Sequence, residues 1–123
     1  MTATPRVLLL EDQMMIAFGI KAALEKHGFE VVGPYADLKS AENGAEETPF
    51  DVAVLDINLG DGTTSEGFAQ HLLERNVPFM FLSGYGSAGQ LHPRFSEVIR
   101  MTKPIAEAEL IEGINDLAAR GRG

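Results

Sequence analysis

The sequence predicts an open, doubly wound α/β domain built on a five-stranded parallel sheet. Two observations carry this. Short apolar runs of strand length alternate with stretches whose apolar residues recur at helical spacing, the mark of a repeated βα unit. The runs are almost uninterrupted, as in Val7-Leu8-Leu9-Leu10 and Val52-Ala53-Val54-Leu55, which suits strands buried on both faces. With 123 residues, the chain has the length of one domain with one ordinary core.

The first strand is expected at Arg6–Leu10, followed by a helix over 13–27 with Ile16, Ile20, Ala23 and Leu24 on one face. Gly28 suits its C-terminal stop. A second strand over 29–32 is expected to end at Gly33-Pro34. Asp37 or Ser40 can cap a short second helix that Gly44 and Pro49 close. The third strand falls at 50–55, with a turn at Gly60-Asp61-Gly62. Thr64 or Ser65 then caps a helix carrying Phe68, Leu72 and Leu73. The fourth strand is expected at 78–82. Residues 84–94 hold three glycines and a proline, so a fourth helix there is short or mobile. A fifth strand over 97–101 and a last helix over 106–119, burying Leu110, Ile114, Leu117 and Ala118, complete the chain. Residues 120–123 read as a frayed end.

Composition narrows the function. Apolar residues make up 45% and charged residues 23%, as in soluble globular domains. No window approaches the roughly 18 continuous apolar residues of a membrane span, and the N-terminus lacks a signal-peptide core. A cytoplasmic location and no membrane partner are therefore expected. The net charge of −8, from 18 acidic and 10 basic residues, argues against nucleic acid as a direct partner, because a polyanion demands clustered Lys and Arg. The absence of cysteine excludes disulfides and thiolate metal sites.

Glu11-Asp12 follow the first apolar run and Asp56 follows the third. In an open parallel sheet, ligands bind beyond the carboxyl ends of the strands. Ser83 and Lys103 fall after the fourth and fifth strands, so acid, acid, hydroxyl and amine converge on one end of the sheet. Three carboxylates so close repel unless a cation neutralises them. Mg²⁺ (or Mn²⁺) suits an all-oxygen site. Asp12 and Asp56 are expected as direct ligands, Glu11 through a bound water, and Asn58 through its backbone carbonyl. Asp56 is also the expected nucleophile, taking a phosphoryl group as an acyl phosphate. Lys103 and Ser83 would each hold one oxygen of that group, so that positioning and charge neutralisation do most of the work.

Plainer roles exist for each residue. Asp12 can be a helix N-cap, Ser83 a turn residue and Lys103 a solvated lysine. The following Pro104 favours the functional role, since a fixed X-Pro bond, in the cis form or not, aims the side chain. His27, His71 and His92 share no ligand spacing and read as surface or capping residues. Met14 and Met15 are expected to pack or to line the site rim. Gly60-Asp61-Gly62 is not a phosphate loop, because no Lys-Ser/Thr follows.

With these residues the chain resembles the CheY-like receiver domain of two-component response regulators. The likeness runs from Val7 to about Ala119. It rests on Glu11-Asp12, on Asp56 in Asp56-Ile57-Asn58-Leu59-Gly60-Asp61-Gly62, on Ser83 and on Lys103-Pro104. The resemblance implies a flavodoxin-like (βα)5 sandwich with strand order 2-1-3-4-5 and Mg²⁺ dependence. It also implies phosphoryl transfer to Asp56 from a histidine kinase or a histidine phosphotransfer protein. Ser83 would move toward the phosphoryl group and reshape the face made by the fourth helix, fifth strand and last helix. Such a domain catalyses its own phosphorylation and dephosphorylation and is not otherwise an enzyme.

Two departures stand out. The family usually carries an aromatic switch residue three positions before its lysine, where this chain has Arg100. In turn, residues 78–85, Pro-Phe-Met-Phe-Leu-Ser-Gly-Tyr, resemble variant receivers with a Phe-Ala-Thr-Gly motif, although Leu82 and Ser83 match it imperfectly. Those variants often serve kinases of the HWE type, and Tyr85 or ordering of its loop would replace the aromatic switch. With no effector domain expected after the last helix, a single receiver domain over 1–123 would signal by contact with a target protein or by relaying or draining phosphate. The alternative is a haloacid-dehalogenase-like Mg²⁺-dependent phosphatase, which normally needs a second Asp two residues after the nucleophile, where this chain has Asn58.

Overall fold

The computed structural model describes residues 4–60, 62–84 and 91–121. Five strands, β1 (Arg6–Leu10), β2 (Glu30–Tyr35), β3 (Val52–Asp56), β4 (Phe79–Ser83) and β5 (Ile99–Thr102), form one sheet in the order β2-β1-β3-β4-β5. Every neighbouring pair is parallel. The described helices are α1 (Met14–Lys26), α2 (Leu38–Glu47), α3 (Glu66–Glu74) and α4 (Glu107–Gly121).

Alternation along the strands explains the two layers. Val7, Leu9, Val52, Val54, Met80 and Leu82 pack with Ala17, Ile20 and Leu24 of α1 and with Leu110, Ile114 and Leu117 of α4. Leu8, Leu10, Ala53, Leu55, Phe79 and Phe81 pack with Ala41 of α2 and Phe68, Ala69 and Leu72 of α3. Helices on both faces are why the strands read as continuous apolar runs. The strand order reverses beside β1, which leaves a crevice at the carboxyl ends of β1 and β3.

Several boundaries differ from the sequence reading for physical reasons. β2 does not stop at Gly33-Pro34 but runs on to Tyr35. Leu8 pairs with Val32 and Leu10 pairs with Tyr35, so β2 carries one extra residue. Gly33 sits at φ +108°, a region open to glycine, and Pro34 has no N–H to give to a ladder. Gly44 does not close α2 but lies inside it, facing the Tyr35 ring. Of the two candidate caps for α2, Asp37 serves, accepting from the Ser40 N–H at 2.8 Å. β3 starts at Val52, and the preceding Asp51 instead accepts the Arg6 N–H on its side chain at 2.8 Å. Ser65 occupies the α3 N-cap without a side-chain capping bond, and Leu73 is exposed.

Of the segment expected to hold a short or mobile fourth helix, residues 85–90 lie outside the described residues. Pro93–Phe95 forms one 3-10 turn. Its Phe95 is buried edge-on against Phe79 and Phe81, with ring centres 6.3 and 5.3 Å away. α4 continues to Gly121, beyond the expected fray point. Among the described residues, no helix is long and apolar enough to cross a membrane.

Candidate functional site

Register places the acids. Leu10 of β1 pairs with Leu55 of β3, so the next residues, Glu11 and Asp56, emerge side by side. Asp12 follows at once, and ligand oxygens of Glu11, Asp12 and Asp56 all lie within 4.8 Å of one another. Asp12 does not cap α1; Gln13 occupies that position. The turn after β3 folds over the acids, with Gly60 at φ +86° and a Cβ built there only 3.8 Å from Asp12 Oδ2.

Lys103 reaches this cluster from the end of β5. Its backbone N–H donates to the Ser83 carbonyl at 2.8 Å, which ties the ends of β4 and β5 together. Its Nζ lies 2.5 Å from Glu11 Oε1 and 3.1 Å from Asp56 Oδ2. Glu11 is fully buried, and its other oxygen, Oε2, accepts the Gln13 N–H at 3.0 Å. Both Glu11 oxygens are thus engaged by the protein itself.

Burial, then the negative charge of Glu11 and hydrogen bonds with Glu11 and Asp12, push the Asp56 carboxyl up to about 7, against the pull of Lys103. Burial also works against the Lys103 cation, but hydrogen bonds and charge from Glu11 and Asp56 outweigh it and raise that pKa. Two buried acids with one lysine leave an excess of negative charge. An all-oxygen donor set with that excess fits a small divalent cation, so the residues present suit Mg²⁺.

The other expected site residues are placed less tightly. Ser83 ends β4 and is buried. Asn58 lies two residues beyond β3's last residue Asp56 and bridges to Thr64. Arg100 is exposed on β5, opposite Phe81. Pro104 follows Lys103 through a cis peptide bond. Tyr85 lies outside the described residues. Met14 is 38% and Met15 91% exposed, so of the two expected roles, packing or lining the site rim, Met15 does not fill the first. His27 and His92 cap helix ends, and His71 is exposed on α3. Sequence reasoning missed Tyr35, whose carbonyl accepts the Glu11 N–H at 2.9 Å.

Comparison with known proteins agrees with this fold. Residues 7–115 match the sequence model of the response regulator receiver domain. The chain belongs to that family. Over 54 residues it is 37% identical to the transcriptional regulatory protein QseB of Escherichia coli O157:H7, a match spanning 44% of this chain and 24% of that protein. The receiver thus matches a minor part of that relative's length. The solution structure of SdrG from Sphingomonas melonis Fr1 superposes with a TM-score of 0.79 at 29% identity, over 100% of both chains. A CheY-like receiver domain protein from Methanospirillum hungatei JF-1 shares the fold, with a TM-score of 0.79 at 21% identity over 98% of each chain. The haloacid-dehalogenase alternative finds no support in these matches.

Proposed function

We propose that this receiver accepts a phosphoryl group on Asp56 in a reaction that requires Mg²⁺ (or Mn²⁺). The observation that carries the reading is the convergence of Glu11, Asp12 and Asp56 within 4.8 Å, with Lys103 bridging Glu11 and Asp56. The donor is a phosphohistidine on a histidine kinase, of the HWE type or another, or on a phosphotransfer protein. An Asp56 carboxylate oxygen forms the new P–O bond as the P–N bond to imidazole breaks, and the electron pair stays with the imidazole.

The bound divalent ion would neutralise charge on the carboxylates and the transferred group. Asp12 and Asp56 would hold it directly, with the Asn58 carbonyl. Glu11, whose two oxygens already have partners, would act through water. Lys103 would exchange Asp56 for a phosphoryl oxygen, and Ser83 would donate to another. Arg100 lies where an aromatic switch residue is usual, so Tyr85 and its loop are the candidates for that role. Output by contact with a target protein, or by relay or drainage of phosphate, follows from the same chemistry, in a cytoplasmic setting without nucleic acid or membrane.

The test is an NMR titration with Mg²⁺ and beryllofluoride, a phosphoryl mimic. Shifts are expected at Glu11, Asp12, Asp56 and Lys103 that need both additions, and Asp56→Asn should abolish them. An unchanged spectrum in the parent protein would end this reading. Back-transfer to the kinase histidine would favour relay or drainage, and a partner captured only by the phosphorylated form would favour contact.

A further inference from the structure

We infer that Tyr35 is a positioning residue for the Glu11–Asp12 turn, holding it from β2 through a backbone bond whose place is set by α2. This rests on the reading of that turn as metal-binding. Four observations join up. The Tyr35 carbonyl accepts the Glu11 N–H at 2.9 Å, at the first residue beyond β1. That carbonyl reaches Glu11 only because β2 carries one extra residue, so that Leu10 pairs with Tyr35 and not with Pro34. The extra residue depends on Gly33, where an added Cβ would lie 2.8 Å from the Tyr35 nitrogen and 3.0 Å from the Leu9 oxygen. Finally, the Tyr35 ring lies against Gly44, and a Cβ there would overlap its hydroxyl and ring carbons.

A regular register would set Pro34 opposite Leu10, where it has no N–H to donate to β1 and no aromatic ring to seat on α2. The bulge instead places Tyr35 opposite Leu10, so that its carbonyl meets the Glu11 N–H and its ring meets Gly44. Glu11 is then held at both ends, by Tyr35 at its N–H and by Gln13 and Lys103 at its carboxylate. Because Glu11 is fully buried, a small displacement of its backbone moves Asp12 with it. Outer residues that orient a metal's ligands can govern affinity without touching the metal. The Gly44 seat makes the position of α2 part of that control.

The experiment uses Gly44→Ala and Tyr35→Ala in the whole chain, singly and together, with Mg²⁺ affinity and amide hydrogen exchange as readouts. Alanine is the better helix former, so local helix propensity alone predicts that Gly44→Ala is harmless. Positioning predicts about tenfold weaker Mg²⁺ binding and faster exchange at the Glu11 amide, with the β3 amide of Val54 unchanged. In the Tyr35→Ala background, Gly44→Ala should add nothing, because no ring remains to be displaced. The inference is overturned if folded Gly44→Ala keeps parent affinity and Glu11 protection. It is also overturned if Glu11 and Val54 amides accelerate together, which would mark general loosening. Should Gly44→Ala not fold, Tyr35→Ala alone carries both readouts. Should the parent itself not bind Mg²⁺, the functional reading fails, and exchange at Glu11 still decides whether Tyr35 holds the turn.

Discussion

Two ion clusters in this molecule use the same side chains to opposite ends. At the carboxyl edge, Lys103 bridges Glu11 and Asp56, with side-chain exposures of 12, 0 and 5%. At the contact of α1 with α4, Glu107 meets Lys26 at 3.3 Å and His27 at 2.9 Å, and Lys26 is 70% exposed. The exposed carboxyl is held below its usual range, by His27 first and then Lys26. The buried one is pushed up to about 7. Pairing wins where water already solvates the charge, and desolvation wins where it does not. On the proposed reading the second regime favours a divalent cation, because the buried acids remain under-neutralised.

Removing the lysine from the buried cluster is the strongest way to separate the two. Lys103→Met leaves Glu11 and Asp56 without a counter-charge, and losing one partner of a buried pair costs about 3 kcal/mol. Protonation of Asp56 relieves part of this below pH 7. The loss should therefore be larger at pH 8 than at pH 6, and Mg²⁺ should restore part of it by supplying the missing positive charge. Urea unfolding at both pH values, with and without Mg²⁺, measures this. A loss indifferent to pH and metal would mean that Lys103 contributes packing and not charge.

Asp56 gives the next effect, with a definite sign. Its folded pKa of about 7 lies above the ordinary 3.8, so the folded state holds the proton more tightly than the unfolded chain does. Metal-free stability therefore falls as pH rises from about 4 to about 7 and levels off above. Asp56→Asn removes that slope. Without metal above pH 7, the variant should be more stable than its parent, on the order of 1–3 kcal/mol. Mg²⁺ should narrow the gap by binding only the parent's ionised site. Parallel pH profiles for parent and variant would show that Asp56 does not carry the strain of the buried cluster.

The buried cluster was also the more legible part of the sequence. A carboxylate that ends a continuous apolar run needs only strand register to place it, and register follows from which residues the helices cover. Glu11 and Asp56 were readable for that reason, and Lys103 by its place just after the fifth strand. What escaped was any residue whose role depends on contact with another element. Gly33-Pro34 reads locally as a strand terminator, yet pairing with β1 carries the strand through it as a bulge. Gly44 reads as a helix stop, yet it is the space that the Tyr35 ring requires. Phe95 carries no signal of its own in the sequence, and its burial comes from the Phe79 and Phe81 rings across the chain. Propensity rules see neighbours in sequence, and these three positions answer to neighbours in space.

The exposed cluster supplies the smallest effect and the control for the rest. Glu107 lies in the first turn of α4, and Lys26 and His27 lie at the end of α1, so each charge also complements its own helix dipole. A carboxyl held below its ordinary 4.5 contributes stability that is fully present above that value and is lost as pH falls through the folded pKa. Above pH 5, Glu107→Gln should lower Tm only slightly. In about 1 M salt, where the screening length is about 3 Å, the difference should vanish. The same salt should leave the pH slope of Asp56 in place, since Glu11 and Asp56 are buried and a buried pair is screened far less than an exposed one. If salt erased both effects alike, burial would not be what distinguishes the two clusters, and the raised Asp56 pKa would need another cause.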